Sequence, residues 1–574
     1  MNTFLGSLQH TFATANKIQM LWGIAVLFVM LLLAILHHIW RSDEKKLGLW
    51  RMLCLIPFLI CVVHFLIYVL SCPMLTAYFI PLYLLGIVRL FPMITAKRKI
   101  GHRIMLVPVT LITALCGFYY CGTAPNAFNY ARKSYTDSFH AMVNSMDKYY
   151  VLKEWKEVDF SALEAKYLPA VQVAEQEQNP AKFEEAVTSF CNELHDGHVW
   201  VNFDYDRDTY KSDVEMHGYG LGLVRLDSGE VIAVCTNEEV QKAGIEDGTV
   251  ITKWNGKPVL QAADEDVPDL GVPVKANDDF LSVMNLCLTG GETIEVSFLE
   301  QSDKEQTVTL SDAGNFDAHH EAFRLFSKEP DFNTPEELYA MNFNTRMLDD
   351  KCGYIQLIAE GTENGVQDIL GYLQGNHKWA REMFREKLND LKGHGMEYLV
   401  IDLRNNMGGF DEIGCALCDL LTNQDWYGQG LGIRKNGTYT CVSDHGIHGT
   451  GEFADLQVVA LTNYECASAG DGTSLYLSRL PNVTLAGITD PCGCNQETGG
   501  ICILSGGVVS VGFPTGLVLD ENCMPNVETK ADRISRNPVE VRIPLDYDAA
   551  MEIFHDNEDY ELDWAIQYME NNTD

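Results

Sequence analysis

Residues 20–39 run for twenty positions without a Lys, Arg, Asp or Glu, and comparable apolar runs cover about 52–70, 75–95 and 104–122. A helix of that length matches the hydrocarbon thickness of a bilayer, so each run is expected to be a transmembrane helix. Any single run would also serve as a buried helix of a soluble protein. Four in series, the first longer than the apolar stretch of a signal peptide, point instead to a membrane region over residues 1–122. Backbone polar groups cannot stay unpaired in lipid, which restricts this part of the chain to helices.

The charged residues between the runs orient them. Arg41, Lys45, Lys46 and Arg51 separate the first two runs, and Lys97, Arg98, Lys99 and Arg103 separate the last two. The positive-inside bias puts both loops in the cytoplasm and both termini outside. Arg89, inside the third run, is expected to snorkel toward the cytoplasmic face. Residues 1–122 hold ten Lys/Arg against two Asp/Glu, which leaves 32 against 77 of the chain's 42 and 79 for the remainder. The expectation is a multi-pass cell-membrane protein, in contact with lipid through its helices, whose N-terminus and acidic C-terminal part are extracytoplasmic. Such acidity excludes nucleic acid as a natural partner of the outer part. Twelve of the 17 cysteines lie there. An oxidising compartment permits disulfides, but spacing identifies no pairs, and Cys492-Gly-Cys494 matches neither a zinc finger nor a Cys-x-x-Cys motif.

The outer part divides by periodicity. Residues 123–212 are mostly helical in pattern and end in Leu194-His-Asp-Gly-His-Val-Trp-Val-Asn-Phe203, which places His198 at a helix-to-strand turn. Residues 213–305 read as short strands, including Val231–Cys235 and Thr249–Trp254, opened by Gly218-Tyr-Gly-Leu-Gly222. A connecting segment covers 306–350. From 351 to 574 strands and helices alternate, with the strand Tyr398–Asp402 followed by Leu403-Arg-Asn-Asn-Met-Gly-Gly-Phe410, an α/β rhythm. Glycines directly after a strand either make a tight turn or let an amide approach a bound oxyanion.

Ser468 follows the apolar run Val458–Leu461 and precedes the helical pattern Thr473–Leu480. A serine between a strand and a helix is either an N-cap or a nucleophile near free amides and the positive end of the helix dipole. No Lys occurs between Lys435 and Lys530 to activate it. Cys466 is a weaker nucleophile candidate. Asp444-His-Gly-Ile-His448 offers two histidines but no third ligand, so neither a metal nor another cofactor is expected.

Leu194-x-Asp-Gly-His198, the strand-rich segment, Asp402-Leu-Arg-Asn-Asn-Met-Gly-Gly409, Ala467-Ser-Ala-Gly-Asp471, Gly487 and Val527-Glu528 occur in an order that resembles the C-terminal processing (tail-specific) peptidase family. Its tricorn and interphotoreceptor retinoid-binding relatives are included in that resemblance, which spans roughly 138–568. It implies an α/β, ClpP/crotonase-like serine-peptidase core with a PDZ-like β domain, here fused to transmembrane helices. Tyr219, Gly220, Leu221 and Gly222 correspond to the loop by which a PDZ domain captures a peptide carboxylate, implying protein or peptide substrates held by their C-termini.

In the processing-protease branch a lysine lies 25 positions after the nucleophile, where this chain has Gly493. The resemblance therefore shifts to the tricorn branch and implies Ser468 as nucleophile, His198 as base and Glu528 as its orienting carboxylate. The Ala469 amide, with that of Gly408 or Gly409, is implied as the oxyanion hole. Tricorn has a serine before its histidine, whereas this chain has Gly197. Asp471 stands where the family usually has Glu and is expected to complement the first helical turn. The implied activity is a membrane-anchored endopeptidase; the alternative is a catalytically silent peptide-binding or signalling receptor built on the same folds.

Overall fold

A computed structural model describes residues 16–40, 42–70, 76–88, 90, 111–117, 120 and 126–572, except 208, 213, 301, 303, 331, 333, 363, 375–377 and 436. At 1.5 Å per residue, the 24-residue helix Lys17–Trp40 is about 36 Å long, enough to cross a bilayer. The stretch Glu44–Tyr68, helical apart from a turn at Cys54–Leu55, is the second segment with the length and composition to do so. The third expected span is represented by the shorter helix Thr76–Val88, which contains Pro81. Residues 75, 89 and 91–95 of that span, including the expected snorkelling Arg89, and 104–110, 118–119 and 121–122 of the fourth, lie outside the described residues. Among the described residues, two helical segments are long and apolar enough to cross a membrane.

One face of these helices carries Val26, Met30, Cys61, Phe79 and Leu82 into a core shared with Ala127, Ile501 and Ile503. The opposite face exposes Leu21, Phe28, Leu31 and Leu59. The Asn129 side chain donates to the Tyr68 carbonyl and adds a polar tether at the junction.

Strands β1 (Asn126–Asn129) and β2 (Trp200–Phe203) flank the helices Tyr135–Tyr149, Phe160–Glu177 and Pro180–Asn192. Ser134, Asp159 and Asn179 cap those helices by accepting first-turn amides, and Phe139, Met142, Phe183 and Phe190 fill their common core. The next sheet is ordered β3-β4-β5-β7-β8, built from β3 (Gly222–Arg225), β4 (Val231–Val234), β5 (Val250–Trp254), β7 (Thr293–Leu299) and β8 (Glu305–Ser311). Strand β6 (Lys257–Pro258) pairs with β5.

The C-terminal part contains β9 (Thr345–Met347), β10 (Cys352–Gln356), β11 (Tyr398–Asp402), the hairpin β12 (Asp425–Lys435) and β13 (Thr438–His448), and β14 (Gln457–Leu461). After these come β15 (Val483–Gly487), β16 (Thr498–Ile503), β17 (Val509–Pro514), β18 (Leu517–Leu519) and β19 (Val541–Arg542). The central sheet runs β19-β15-β14-β11-β10-β9 and is parallel except for β9. Its register aligns Tyr354, Val400, Val459 and Thr484. Leu399, Ile401 and Val458 enter one hydrophobic core, while Tyr398, Val400 and Val459 enter another. Burial on both faces is why these strands read as continuous apolar runs rather than alternating ones. β1, β16, β17 and β2 form a separate four-stranded sheet that delivers the chain around His198 to the carboxyl ends of the parallel strands.

A buried ionic cluster fixes the exit of β11. The Arg404 guanidinium lies 2.8 Å from Asp402, 2.7 Å from Asp559 and 3.3 Å from Glu561. Tyr354 donates to Asp402 at 2.9 Å, so the loop after β11 is bound to the C-terminal helix Tyr560–Asn572. Replacing Arg404 by Met strands the buried carboxylates. Urea unfolding of Arg404→Met should show a stability loss of about 3–5 kcal/mol; an unchanged midpoint would remove this cluster from the account of the loop.

Candidate active site

The candidate nucleophile occupies a strained turn. Beyond β14 the chain reaches Ser468 at φ 56°, ψ −132°, immediately before the helix Ala469–Ser478. Positive φ is unfavourable for a side-chain-bearing residue and persists only where surrounding bonds impose it. The Ser468 amide donates to the Cys494 carbonyl at 2.7 Å, and the Gly472 amide donates to the Ser468 carbonyl at 3.1 Å. The Ser468 side chain makes no helix-capping bond, so it does not act as an N-cap serine.

The two glycines after β11 differ in what their amides do. A Cβ on Gly408 would lie 2.4 Å from Ser468 Cβ and 2.6 Å from the Ala469 nitrogen, so this close approach requires glycine. The Gly408 amide donates to Asn406 Oδ1 at 2.9 Å. Among the described residues, the Gly409 and Ala469 amides have no internal acceptor. Both amides are therefore available to a bound acceptor.

His198 reaches the same place from a distant part of the sequence. Its amide donates to Asp196 Oδ1 at 2.9 Å, and Tyr150 donates to Asp196 Oδ2 at 2.7 Å. Lys156 braces this turn by donating to the His195 carbonyl at 2.9 Å and to Thr529 Oγ1 at 3.1 Å. His198 and Ser468 both line a pocket of about 440 Å³, together with Gly409, Asp411, Glu412 and Glu497. Burial disfavours a charged His198 ring, and the Asp196 carboxylate favours it.

Glu528 is fully buried and accepts the Asn495 amide at 2.5 Å through Oε1. Among the described residues, its Oε2 and His198 Nδ1 are both buried without a hydrogen-bond partner. No direct bond joins the two side chains. Gly197 explains why no side chain bridges them from the preceding position: a Cβ there would sit 2.6 Å from Cys494 Sγ and 2.9 Å from Cys492 Sγ. Burial, reinforced by Asp196, pushes the Glu528 carboxyl well above the usual range and favours its neutral form.

Asp471 does more than complement a helix dipole. Its Oδ2 accepts the Gly493 and Cys494 amides at 2.6 and 3.2 Å, and its Oδ1 accepts from Asn537 at 3.0 Å. Burial raises this carboxyl to about 7 despite those donors. Cys466 is buried and its thiol is pushed well above the usual value, which disfavours it as a nucleophile.

The loop expected to capture a carboxylate is also placed. Tyr219 and Leu221 are buried in the sheet's core, and Gly220 has φ 82°. The helices Lys275–Leu286 and Asp317–Ser327 both pack beside β3. Ala322 lies against Gly222, Phe326 against Phe280 at 4.6 Å, and His319 bonds Asn285 at 3.2 Å. The second helix thereby covers the strip beside β3 where an added peptide strand would lie.

Two acidic residues at the site escaped sequence reasoning. Asp411 accepts from Asn495 at 3.1 Å and Tyr476 at 3.2 Å, while burial and Glu412 raise it to about 7. Glu360 lies beneath the glycine loop, accepting from Thr473 at 2.9 Å and Asn406 at 3.2 Å, and burial raises it to about 8. The Asp411-Glu412 pair directly after Gly-Gly-Phe was the available signal for the first; nothing local marked Glu360.

A serine at a left-handed turn between a parallel strand and a helix, sharing a pocket with a histidine, has the form of a serine-hydrolase site. Residues 351–501 match the model of peptidase family S41. Mature CPAF complexed with lactacystin is similar over 77% of this chain and 99% of its own, at 12% identity and TM-score 0.50. The photosystem II D1 C-terminal processing protease aligns over 75% of this chain and 98% of its own, at 16% identity and TM-score 0.32. A putative peptidase from Parabacteroides merdae aligns over 76% and 97%, at 13% identity and TM-score 0.38. No curated protein matches the chain. The family match includes Ser468 and the glycine loop but neither His198 nor Glu528.

Glu360 generates a pH-dependent stability difference. Its folded value of about 8 exceeds the ordinary 4.5, so the folded chain holds more protons than the unfolded one between those pH values. Wild-type stability should therefore fall relative to Glu360→Gln by about 1.4 kcal/mol per pH unit as pH rises through that window. Thermal unfolding at pH 5, 6.5 and 8 tests this, and parallel curves would contradict it.

Proposed function

We propose that the chain is a membrane-anchored serine endopeptidase of tail-specific, tricorn-like type that hydrolyses peptide bonds in extracytoplasmic proteins. The observation that carries this reading is the pocket shared by Ser468 and His198 in a chain that matches peptidase family S41 over residues 351–501. Neutral His198 takes the Ser468 Oγ proton as Oγ attacks the peptide carbonyl. The oxyanion accepts from the Ala469 and Gly409 amides, the leaving amine receives the proton from His198, and water hydrolyses the acyl-enzyme. Glu528 is the third member of the reading, acting on His198 without a direct hydrogen bond; Asp196 anchors the backbone that carries the ring.

The sheet around β3–β8 is read as a PDZ-like interaction module. Terminal-carboxylate capture at Tyr219–Gly222 is left out of the mechanism because the helix Asp317–Ser327 covers that strip. The separation of Glu528 from His198 favours a second reading, a silent peptide-binding receptor. A fluorophosphonate probe distinguishes them. The enzyme should label at Ser468, Ser468→Ala should abolish labelling, and His198→Ala should slow it by about 10²–10⁴-fold. Absence of labelling in the folded wild-type chain would favour the receptor. With His198 as the base, the labelling rate should rise with pH as the ring loses its proton, and His198→Ala should remove that rise; an unchanged pH profile in the variant would exclude this ring as the base.

Membrane anchoring rests on the two apolar segments and the basic residues between them. Tags inserted in 41–51 and at the C-terminus should report opposite sides of the membrane in a protease-protection assay. Protection of both tags, or of neither, would reject the extracytoplasmic placement.

A further inference from the structure

Two thiols beside His198 have no part in the catalytic reading. Cys494 is buried and Cys492 is partly exposed; the Cys494 S–H points to Cys492 Sγ at 3.4 Å. Both sulfurs lie against Gly197, whose backbone leaves the space they occupy. The Cys494 sulfur is also close enough to the His198 ring to interact with it electrostatically, and Cys492 together with burial keeps that thiol protonated. On the other side, the Cys494 carbonyl holds the Ser468 amide, while the Gly493 and Cys494 amides are held by Asp471. A three-residue strap thus touches the base with a side chain and the nucleophile with its backbone.

We propose that Cys492 and Cys494 form an oxidation site, a thiol pair that closes to a disulfide and thereby withdraws the Cys494 thiol from His198 and slows the reaction of Ser468. The last clause rests on the peptidase reading above; closure of the pair does not. The sulfurs begin in van der Waals contact, and a disulfide requires them to approach to about 2.05 Å. Gly493, at φ 83°, places the two cysteine side chains on one side of the strap, so they meet without help from a distant segment.

The oxidant is a small organic disulfide, R–S–S–R. Cys492, the accessible thiol, attacks one sulfur to form a mixed disulfide, and the expelled thiolate takes the Cys492 proton. Cys494 then passes its proton to His198 as its sulfur attacks Cys492 Sγ. The second thiolate leaves and recovers that proton from His198. Two protein thiols are oxidised and one R–S–S–R is reduced to two R–SH. In the product, the Cys494 sulfur is drawn toward Cys492 and away from the ring, within the strap that fixes the Ser468 amide.

The test uses the full chain in detergent, treated with oxidised glutathione and then with dithiothreitol. Peptide mass mapping reads the Cys492–Cys494 bond, the fluorophosphonate rate reads Ser468, and carbethoxylation by diethyl pyrocarbonate reads His198 independently of turnover. Oxidation should cross-link the pair, lower the labelling rate by about tenfold as His198 loses its positioning, and change the carbethoxylation rate of His198. All three effects should reverse on reduction. Cys492→Ser should keep the reduced-state labelling rate and lose the response to oxidant. The proposal is overturned if the cross-link does not form in the folded chain, if it forms and His198 reacts at an unchanged rate, or if Cys492→Ser remains equally sensitive. Should Ser468 never label while cross-linking and the His198 response both occur, the peptidase reading falls and the thiol pair stands.

Discussion

The site depends on a reciprocal clamp between the turn of the candidate nucleophile and the strap at 492–494. The Cys494 carbonyl takes the Ser468 amide, and one turn later Asp471 takes the Gly493 and Cys494 amides in return. These bonds offset the unfavourable positive φ of Ser468 by satisfying backbone groups that burial would otherwise leave unpaired. They also oblige a carboxyl to sit in the interior, where its raised value shows the cost of charging it. Asn537 secures the other carboxyl oxygen and joins the clamp to the C-terminal part of the chain.

Around that clamp, segments far apart in sequence have separate tasks. Arg404 and its three carboxylates set the path out of β11, and the close passage of Gly408 over Ser468 leaves the Gly409 and Ala469 amides without an internal acceptor. Asp196, Tyr150 and Lys156 hold the turn that delivers His198. Carboxyls at 360, 411, 471 and 528 all lie above their usual range because burial penalises the charged form. The shared pattern is an acidic chain that buries several of its carboxyls near the site, where their charged forms are disfavoured.

Much of this architecture was legible locally. Strands β10, β11 and β14 follow from their apolar runs, and the turn at Ser468 follows from a short strand meeting a helical pattern. The long apolar helix at 17–40 follows from composition and length. What local sequence does not report is a partner that lies far along the chain. The amides that donate to Asp471 are 22 and 23 positions away, so its sequence neighbours show only its place in the first helical turn. Nothing in the composition of Tyr219–Gly222 reports the helix Asp317–Ser327 packed beside β3. Gly408 and Gly409 were equivalent candidates until the Asn406 side chain distinguished their amides.

Sequence alone determined the residue types available for chemistry, the split between an apolar, basic N-terminal region and an acidic remainder, and the α/β order that places Ser468 after a strand. These are consequences of local periodicity and composition, which act over a few neighbouring residues. Tertiary structure decided that His198, 270 positions earlier, lines the pocket of Ser468, that Glu528 does not hydrogen-bond to it, and that two cysteine sulfurs fill the space beside Gly197. Such relations depend on strand register and on which side chains exclude one another in a close-packed interior, and neither is a property of any short stretch of chain.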